Sequence, residues 1–574
     1  MSDGQPDLVI RNGMVLDGTG GEPVLADVAV SDGAIVAIGE CAGGRSEIDA
    51  TGCYVTPGFI DVHTHYDGQL VWGDRLVPSS LHGVTTVIAG NCGVGFAPCR
   101  PGDRDMLVSV MEGVEDIPEI VMTTGLDWAW ESFPEFLDAI GSRRHDIDFG
   151  VYLPHSALRV FVMGRRGAAR EPATPGDLDA MTKLAAAALR AGAIGFSTSN
   201  VPGHRTGKGE FIPSYEAGEA EYLAIAAAMK ETGLGIFQIV PDYRGDGRVR
   251  PLADMMKRIS LASGRPVTFT LAQFHSHPDA WRELLDAVAE ANETPGVSIV
   301  PQVYPRPIGV MLGITTSYNP FSLCPSYQPL LDLPVAKRVA ALRQPELRAR
   351  LLVELPADPT NPLLNITRDF DRIYPFRTPD YEPTAGTSVA ALASARGVTP
   401  EEVAYDLMLE RDGGAMMLAT LTNYAHRSLD DVAEMLHHPA TVIGLGDGGA
   451  HYGLVCDASY PTYFLTYWTT GRREAKFAFP EAVKALTSVP ARLAGLADRG
   501  ILAPGLKADI NIIDREALSL ELPEVVNDLP GGGRRLHQRA QGYRATIVSG
   551  EVIVRDGVPT EALPGRLIRG VTRA

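Results

Sequence analysis

The segment Asp61-Val62-His63-Thr64-His65 carries two histidines one residue apart. On an extended strand, side chains at i and i+2 point to the same side, so the two imidazoles project together. Such a pair suits a divalent transition metal, zinc first; two core histidines would have the same spacing. Near the other end of the chain, Gly444-Leu445-Gly446-Asp447-Gly448-Gly449-Ala450-His451 presents a carboxylate among glycines. Asp447 there is suited to ligate a metal and to act as general base and acid for a metal-activated water, or to cap a following helix. Gly90-Asn91-Cys92-Gly93 offers a thiolate, a good zinc ligand when ionised and otherwise a small buried hydrophobe. Cys41, Cys53, Cys99, Cys324 and Cys456 show no metal spacing.

These groups meet only if the right elements carry them. The middle of the chain alternates short apolar runs with helical patterns, and eight runs can be counted: 58–65, 85–92, 148–155, 193–200, 234–240, 266–274, 297–305 and 441–449. Eight βα units predict an α/β fold, a (β/α)8 TIM barrel, whose chemistry sits at the carboxyl ends of the strands. In a closed barrel strand one lies between strands two and eight, which would gather His63, His65, Cys92 and Asp447 as one metal set. The barrel is expected over 58–499, with insertions at 93–147 and 306–440 that shape a substrate site. Residues 1–57 and 500–574 share a strand-turn-strand texture and predict one small β-sandwich domain built from both termini. Its turns are read at Asn12-Gly13, Asp32-Gly33, Ser549-Gly550 and Asp556-Gly557.

Several further residues are placed near the barrel mouth. His155 ends strand three, Arg159 follows one turn on, and Arg306 follows strand seven. An arginine there would grip a substrate carboxylate by a bidentate pair or serve a structural ion pair. His204 follows strand four and either lines the mouth or sits in a surface turn. His451 either orients Asp447 or starts a helix. Asp127-Trp128-Ala129-Trp130 is read as core of the first insertion or the wall of an apolar acyl pocket, His437-His438 as a helix end, and Gly531-Gly532-Gly533-Arg534-Arg535 as an exposed linker or a lid reaching the barrel mouth. The last lacks the Gly-Lys-Ser/Thr ending of a phosphate-binding loop.

The 574 residues carry a net charge of −19, which argues against duplex nucleic acid or an anionic membrane as partner. No apolar run is long enough to span a bilayer, the first residues show no secretory leader, and six cysteines make no disulfide framework. A cytoplasmic enzyme is expected, assembled as a homo-oligomer, as large enzymes usually are.

The frames LVIRNGMVLDGTG, VTPGFIDVHTHYD, GVTTVIAGNCG, GLGDGGAH and SVPARLAGLADRGILAPGLKADINIID resemble the amidohydrolase superfamily. GNCG, and LPHSALRVFVMG at 153–164, narrow the resemblance to the N-acyl-D-amino-acid deacylase (D-aminoacylase) group, which uses a cysteine on strand two as a metal ligand. The resemblance implies a metal-dependent barrel hydrolase with a composite β-sandwich. The chain also departs from that group, whose strands five and six end in metal-binding histidines. Here strand five ends in Phe237-Gln238-Ile239-Val240 and strand six in Leu271-Ala272-Gln273-Phe274, and no histidine lies between His204 and His275. His275 and His277 either swing toward the site or sit in a solvated loop. Strand four offers no lysine, Lys208 lying well beyond it. One divalent ion per chain, zinc first, is therefore expected on His63, His65, Asp447 and Cys92. The expected reaction is hydrolysis of a C–N amide bond in a small molecule, an N-acyl amino acid, D-configured on the resemblance, or a related carboxylate-bearing amide. The alternatives are a lyase, isomerase or decarboxylase on the same scaffold, or a non-catalytic binding relative.

Overall fold

The computed structural model describes residues 5–474 and 476–570; the outermost residues of the expected terminal domain, 1–4 and 571–574, lie outside them. Eight parallel strands follow one another in chain order: Phe59–Asp61, Val84–Ala89, Asp148–Pro154, Gly195–Ser199, Ile236–Val240, Val267–Leu271, Ile299–Val303 and Val442–Ile443. Nearly every residue in them is buried, as parallel strands covered on both faces require. The first and last are tied beyond their strand ends, where Asp447 N–H donates to His63 O (3.0 Å) and His65 N–H to Gly448 O (2.8 Å). Helices such as Pro175–Ala191, Glu219–Thr232, Val249–Ser263 and Ala280–Asn292 lie between strands and turn their apolar stripes inward. The first of these starts at a reciprocal cap between Thr174 and Asp177 and ends at Gly192, which is left-handed.

Both insertions have structure of their own. The first contains the helices Arg104–Glu115, Glu119–Gly125 and Phe133–Gly141. Its tryptophans are core: Trp130 is buried, donates to Phe96 O (2.9 Å), and packs 5.6 Å from Trp128 and 4.9 Å from Phe136. The second holds a three-stranded antiparallel sheet, Ile308–Gly313, Ile373–Pro375 and Met416–Thr422, over a separate core that includes Leu312, Phe321, Tyr405 and Met417.

Strands from both ends of the chain share one nine-stranded mixed sheet, in which Ile510–Ile513 pairs antiparallel with Tyr54–Pro57. Three of the four expected turns are present, at Asp32-Gly33, Ser549-Gly550 and Asp556-Gly557, each with positive φ at both central residues. Asn12-Gly13 is not a turn. The strand Leu8–Val15 runs straight through it, and the register slips there by a bulge that leaves Asn12 at φ 57°. A Cβ on Gly13 would lie 2.3 Å from Val55 Cγ2, so glycine is needed for strand packing.

The C-terminal segment also departs from a simple sheet. Residues 519–541 form two small antiparallel pairs outside it. The 531–533 loop packs on Ile120 and Val121 of the first insertion, so the expected exposed linker is docked, and Arg535 is buried against Asp528. The tail returns along strand three, with Gly565 N–H on His145 O (2.8 Å) and Ile568 N–H on Phe149 O (2.7 Å). Among the described residues, no helix is long and apolar enough to cross a membrane.

Candidate metal centre

His63 and His65 stand just past the end of strand one, both about 1% exposed. Strand two ends in a tight turn that holds Cys92 in a left-handed conformation (φ 58°) with its N–H on Gln238 Oε1 (3.2 Å). Asp447 is also left-handed (φ 46°), in the loop after strand eight. Non-glycine residues held in this region mark places where the surroundings impose the backbone.

The four side chains converge. His63 Nε2 and His65 Nε2 each lie 3.5 Å from Asp447 Oδ1, and Cys92 Sγ lies 3.4 Å and 3.7 Å from the same two nitrogens. A tetrahedral zinc with the usual Zn–N and Zn–S lengths sets its ligand atoms about 3.3–3.6 Å apart. His63, His65 and Cys92 therefore fit such an ion in kind and in spacing, with the Asp447 carboxylate 3.5 Å from both imidazole nitrogens. His63, His65 and Cys92 form the one metal-capable cluster of three among the described residues. Burial drives His65 down, but the Glu115 carboxylate and Cys92 outweigh it and hold the imidazole well above its ordinary range. His63 goes the other way, to about 4, under burial only partly opposed by Asp447. The Cys92 thiol is pushed up to about 12 by burial. Burial pushes Asp447 up, yet the hydrogen bond and charge of His65, with the charge of His63, keep it well below the usual carboxylate range.

A second tier orients the ligands. His63 Nδ1 meets Gln302 Oε1 (2.8 Å) from strand seven, and Gln302 Nε2 donates to Thr268 Oγ1 (3.1 Å). His65 Nδ1 faces Glu115 Oε1 (3.3 Å) from the first insertion. The Gln302 contact leaves His63 Nε2 to the metal, whereas His65 Nδ1 and the Glu115 carboxylate stand close without a hydrogen bond of ordinary geometry. Glu115 and Gln302 carry no sequence signal: one ends an amphipathic helix, the other sits inside a strand, and neither has a motif neighbour.

The remaining expected residues divide. His451 borders the centre, its Nε2 3.6 Å from Glu115 Oε2 and its ring 6.5 Å from that of His65. Among the described residues its side chain makes no hydrogen bond to Asp447, the one it was expected to orient, and its near neighbour is Glu115. His204 is half-buried, meets Ser199 Oγ through Nδ1 (2.9 Å), and is pushed down to about 3 by burial and then by the charges of His451 and His65. Three others are committed elsewhere. His155 Nε2 meets Glu221 Oε2 (3.0 Å) and its Nδ1 meets Thr198 Oγ1 (2.9 Å); Arg159 pairs with the same Glu221 and donates to Glu171 O (2.7 Å). Arg306, fully buried, donates to Asp457 Oδ1 (2.9 Å), Cys456 O (2.8 Å) and Ser459 Oγ (3.1 Å), and lies 3.9 Å over the Tyr381 ring. These are structural ion pairs rather than free grips for a substrate carboxylate. His275 turns to Arg372 (3.3 Å) and His277 to Ser276 (3.0 Å), so neither replaces the absent strand-five and strand-six histidines. His437 ends its helix and stacks on Phe477 at 4.1 Å.

Known proteins agree with this frame. The N-acyl-D-aspartate deacylase of Alcaligenes xylosoxydans xylosoxydans is 26% identical over 576 residues, 98% of this chain and 95% of its own. A solved D-aminoacylase, described as having a binuclear metal centre with one-metal activation and second-metal attenuation, superposes with a TM-score of 0.65 at 23% identity, over 98% of this chain and all of its own. The N-acyl-D-glutamate deacylase of Bordetella bronchiseptica, solved with zinc and a phosphonate inhibitor, gives 0.64 at 23%, over 99% and 100%. The last two share the TIM barrel and β-domain arrangement seen here. The amidohydrolase family profile matches residues 46–554. A barrel with two histidines past strand one, a cysteine past strand two and an aspartate past strand eight, matched over that length, places this chain in the amidohydrolase family, the hydrolases of carbon–nitrogen bonds other than peptide bonds.

Proposed function

We propose that this protein hydrolyses the amide bond of an N-acyl amino acid, D-configured, with one zinc ion held by His63, His65, Cys92 and Asp447. The observation that carries the reading is the convergence of two imidazole nitrogens and a thiol into one cluster, with the Asp447 carboxylate 3.5 Å from both imidazole nitrogens. Bound there, zinc supplies a Lewis acid for the scissile carbonyl and for water. The protein supplies the rest. Asp447 is the base that takes a proton from the attacking water and returns it to the leaving nitrogen. Its side chain is 19% exposed where the histidines are 1%, so it is the face of the cluster that a substrate meets. His204 and His451, both half-buried at the rim, are the side chains left to hydrogen-bond the substrate once Arg159 and Arg306 are committed. A single ion is favoured because the strand-five and strand-six positions hold amides engaged elsewhere. Gln238 accepts from Cys92 N–H, and Gln273 accepts from Ala425 N–H (2.9 Å). The D-amino-acid choice rests on the deacylase relative.

The test is zinc-reconstituted protein offered a panel of N-acetyl D- and L-amino acids in isotopically labelled water. The expected result is release of free D-amino acid with solvent oxygen in the acetate, and a kcat/KM about 10²–10⁴ lower in Asp447→Asn. Product without solvent oxygen, or an unimpaired Asp447→Asn enzyme, would overturn the mechanism.

A further inference from the structure

Glu115 is placed where the fold gains nothing from a carboxylate. It is the last residue of the helix Arg104–Glu115, where the macrodipole opposes negative charge. It is 1% exposed, and neither oxygen makes a conventional hydrogen bond. A buried ionised group without partners is costly. Its side-chain neighbours are His65 Nδ1 at 3.3 Å and His451 Nε2 at 3.6 Å.

The helix end is nevertheless fixed on several sides. A Cβ on Gly113 would lie 2.1 Å from Thr206 C and 2.3 Å from Arg205 O, so the helix backbone sits flush on the loop after strand four. Gly207 N–H donates to Ser109 O (2.6 Å) in the same contact. One residue past the helix, Asp116 Oδ2 accepts from Gly453 N–H (3.0 Å) and Ser317 Oγ (3.0 Å). The loops after strands four and eight and the second insertion thus hold this helix terminus against the metal ligands. The other metal histidine is served differently, since His63 Nδ1 meets the neutral amide of Gln302.

We propose that Glu115 is the positioning residue of the metal centre. Its carboxylate accepts the Nδ1 proton of His65, fixes the tautomer that leaves Nε2 for the metal, and makes that nitrogen the stronger donor of the pair. Metal affinity is thereby made to depend on docking of the 93–147 insertion. The inference rests on the metal reading above.

The experiment compares metal-free wild-type protein with Glu115→Gln, Glu115→Met and, as a control from the same helix, Glu112→Gln. Zinc affinity is read by chelator competition, the ligand field by the visible spectrum of the cobalt(II) form, and apo stability by thermal unfolding. Glu115→Gln and Glu115→Met are expected to bind zinc about 10–100-fold more weakly, with a shifted cobalt spectrum. The apo proteins should unfold near the wild-type temperature, because a neutral side chain at the helix C-terminus removes a repulsion with the macrodipole and leaves His65 free to be neutral. Glu112→Gln should bind as wild type. Wild-type affinity in both Glu115 variants would overturn the proposal, as would a fall in affinity matched by a fall in apo stability, which is the mark of a merely structural group. A wild-type protein that binds no zinc would overturn the metal reading itself, and this proposal with it.

Discussion

Cys92 tests the donor set most directly, because it is the one soft ligand. Its thiol lies 3.4 Å and 3.7 Å from the two imidazole nitrogens, and its backbone is held independently by Gln238. Cys92→Ser should therefore keep the local fold while replacing a soft donor with a hard, weak one. Zinc affinity is expected to fall at least about tenfold, while the apo melting temperature stays near that of the wild type. Calorimetric titration of zinc into the metal-free proteins checks it; equal affinities would remove Cys92 from the centre. At this scale, the meeting of His63, His65, Cys92 and Asp447 was legible in the sequence. The order of strands eight, one and two brings them together, although both histidines stand past the end of strand one rather than on it. The supports of these residues were not legible. Glu115 lies fifty residues from His65 along the chain and meets it only through tertiary docking. Arg159 and Arg306 read as available cations because nothing local announces Glu221 or Asp457 as their partners.

Loop 444–449 shows how an element constrains the site. Gly446 is pressed against strand one, and a Cβ there would lie 1.9 Å from Asp61 Oδ2 and 2.8 Å from Tyr460 Cε1. Asp61 in turn accepts the His63 N–H (3.1 Å), so the same contact bears on both sides of the metal centre. Gly446→Ala must push the Asp447 loop outward or displace Asp61. Overpacking of this kind costs about 1–3 kcal/mol, and here the displacement falls on two ligands. A lower melting temperature together with weaker zinc binding is expected; a variant matching the wild type in both would show that the loop yields without moving Asp447. Turn chemistry was legible where two adjacent residues both take positive φ, as at Asp32-Gly33. At Asn12-Gly13 the same kind of dipeptide serves a bulge, because strands on either side continue the pairing across it. Local sequence cannot distinguish the two outcomes, since the difference lies in the partner strand.

At the scale of the molecule, barrel, terminal sheet and insertions are joined by buried polar contacts, and these make stability depend on pH. Arg499 and Lys507 both meet Asp148 of strand three, tying the start of the C-terminal segment to the barrel. His82, fully buried, bridges Thr462 Oγ1 (2.8 Å) and Gln538 O (2.9 Å), so it joins the first barrel unit to a late helix and to the C-terminal segment. Burial, against the raising effect of the Gln538 carbonyl, drives its pKa down to about 3. His145, under the returning tail, is driven to about 4 by burial and then by Arg143. Both are bases whose folded pKa lies below the ordinary 6.5. Between about pH 6.5 and 4 the unfolded chain therefore binds protons at these two positions that the folded chain refuses, so their contribution to stability rises with pH across that window. It is fully present above 6.5 and is lost on acidification, each histidine contributing up to about 1.4 kcal/mol per pH unit. Depressed carboxylates such as Asp177, at about 2, act only below the ordinary carboxylate range, whereas Asp67, raised to about 6 by burial, opposes the histidines within their window. His82→Gln keeps a donor for Gln538 O and an acceptor for Thr462 but cannot take up a proton. Melting temperatures of the metal-free proteins measured from pH 7 to pH 4 should fall less steeply for this variant than for the wild type, the two diverging as pH drops below 6.5. Parallel curves would mean that His82 titrates alike in both states, and that the junction of barrel and C-terminal segment opens before it can be felt.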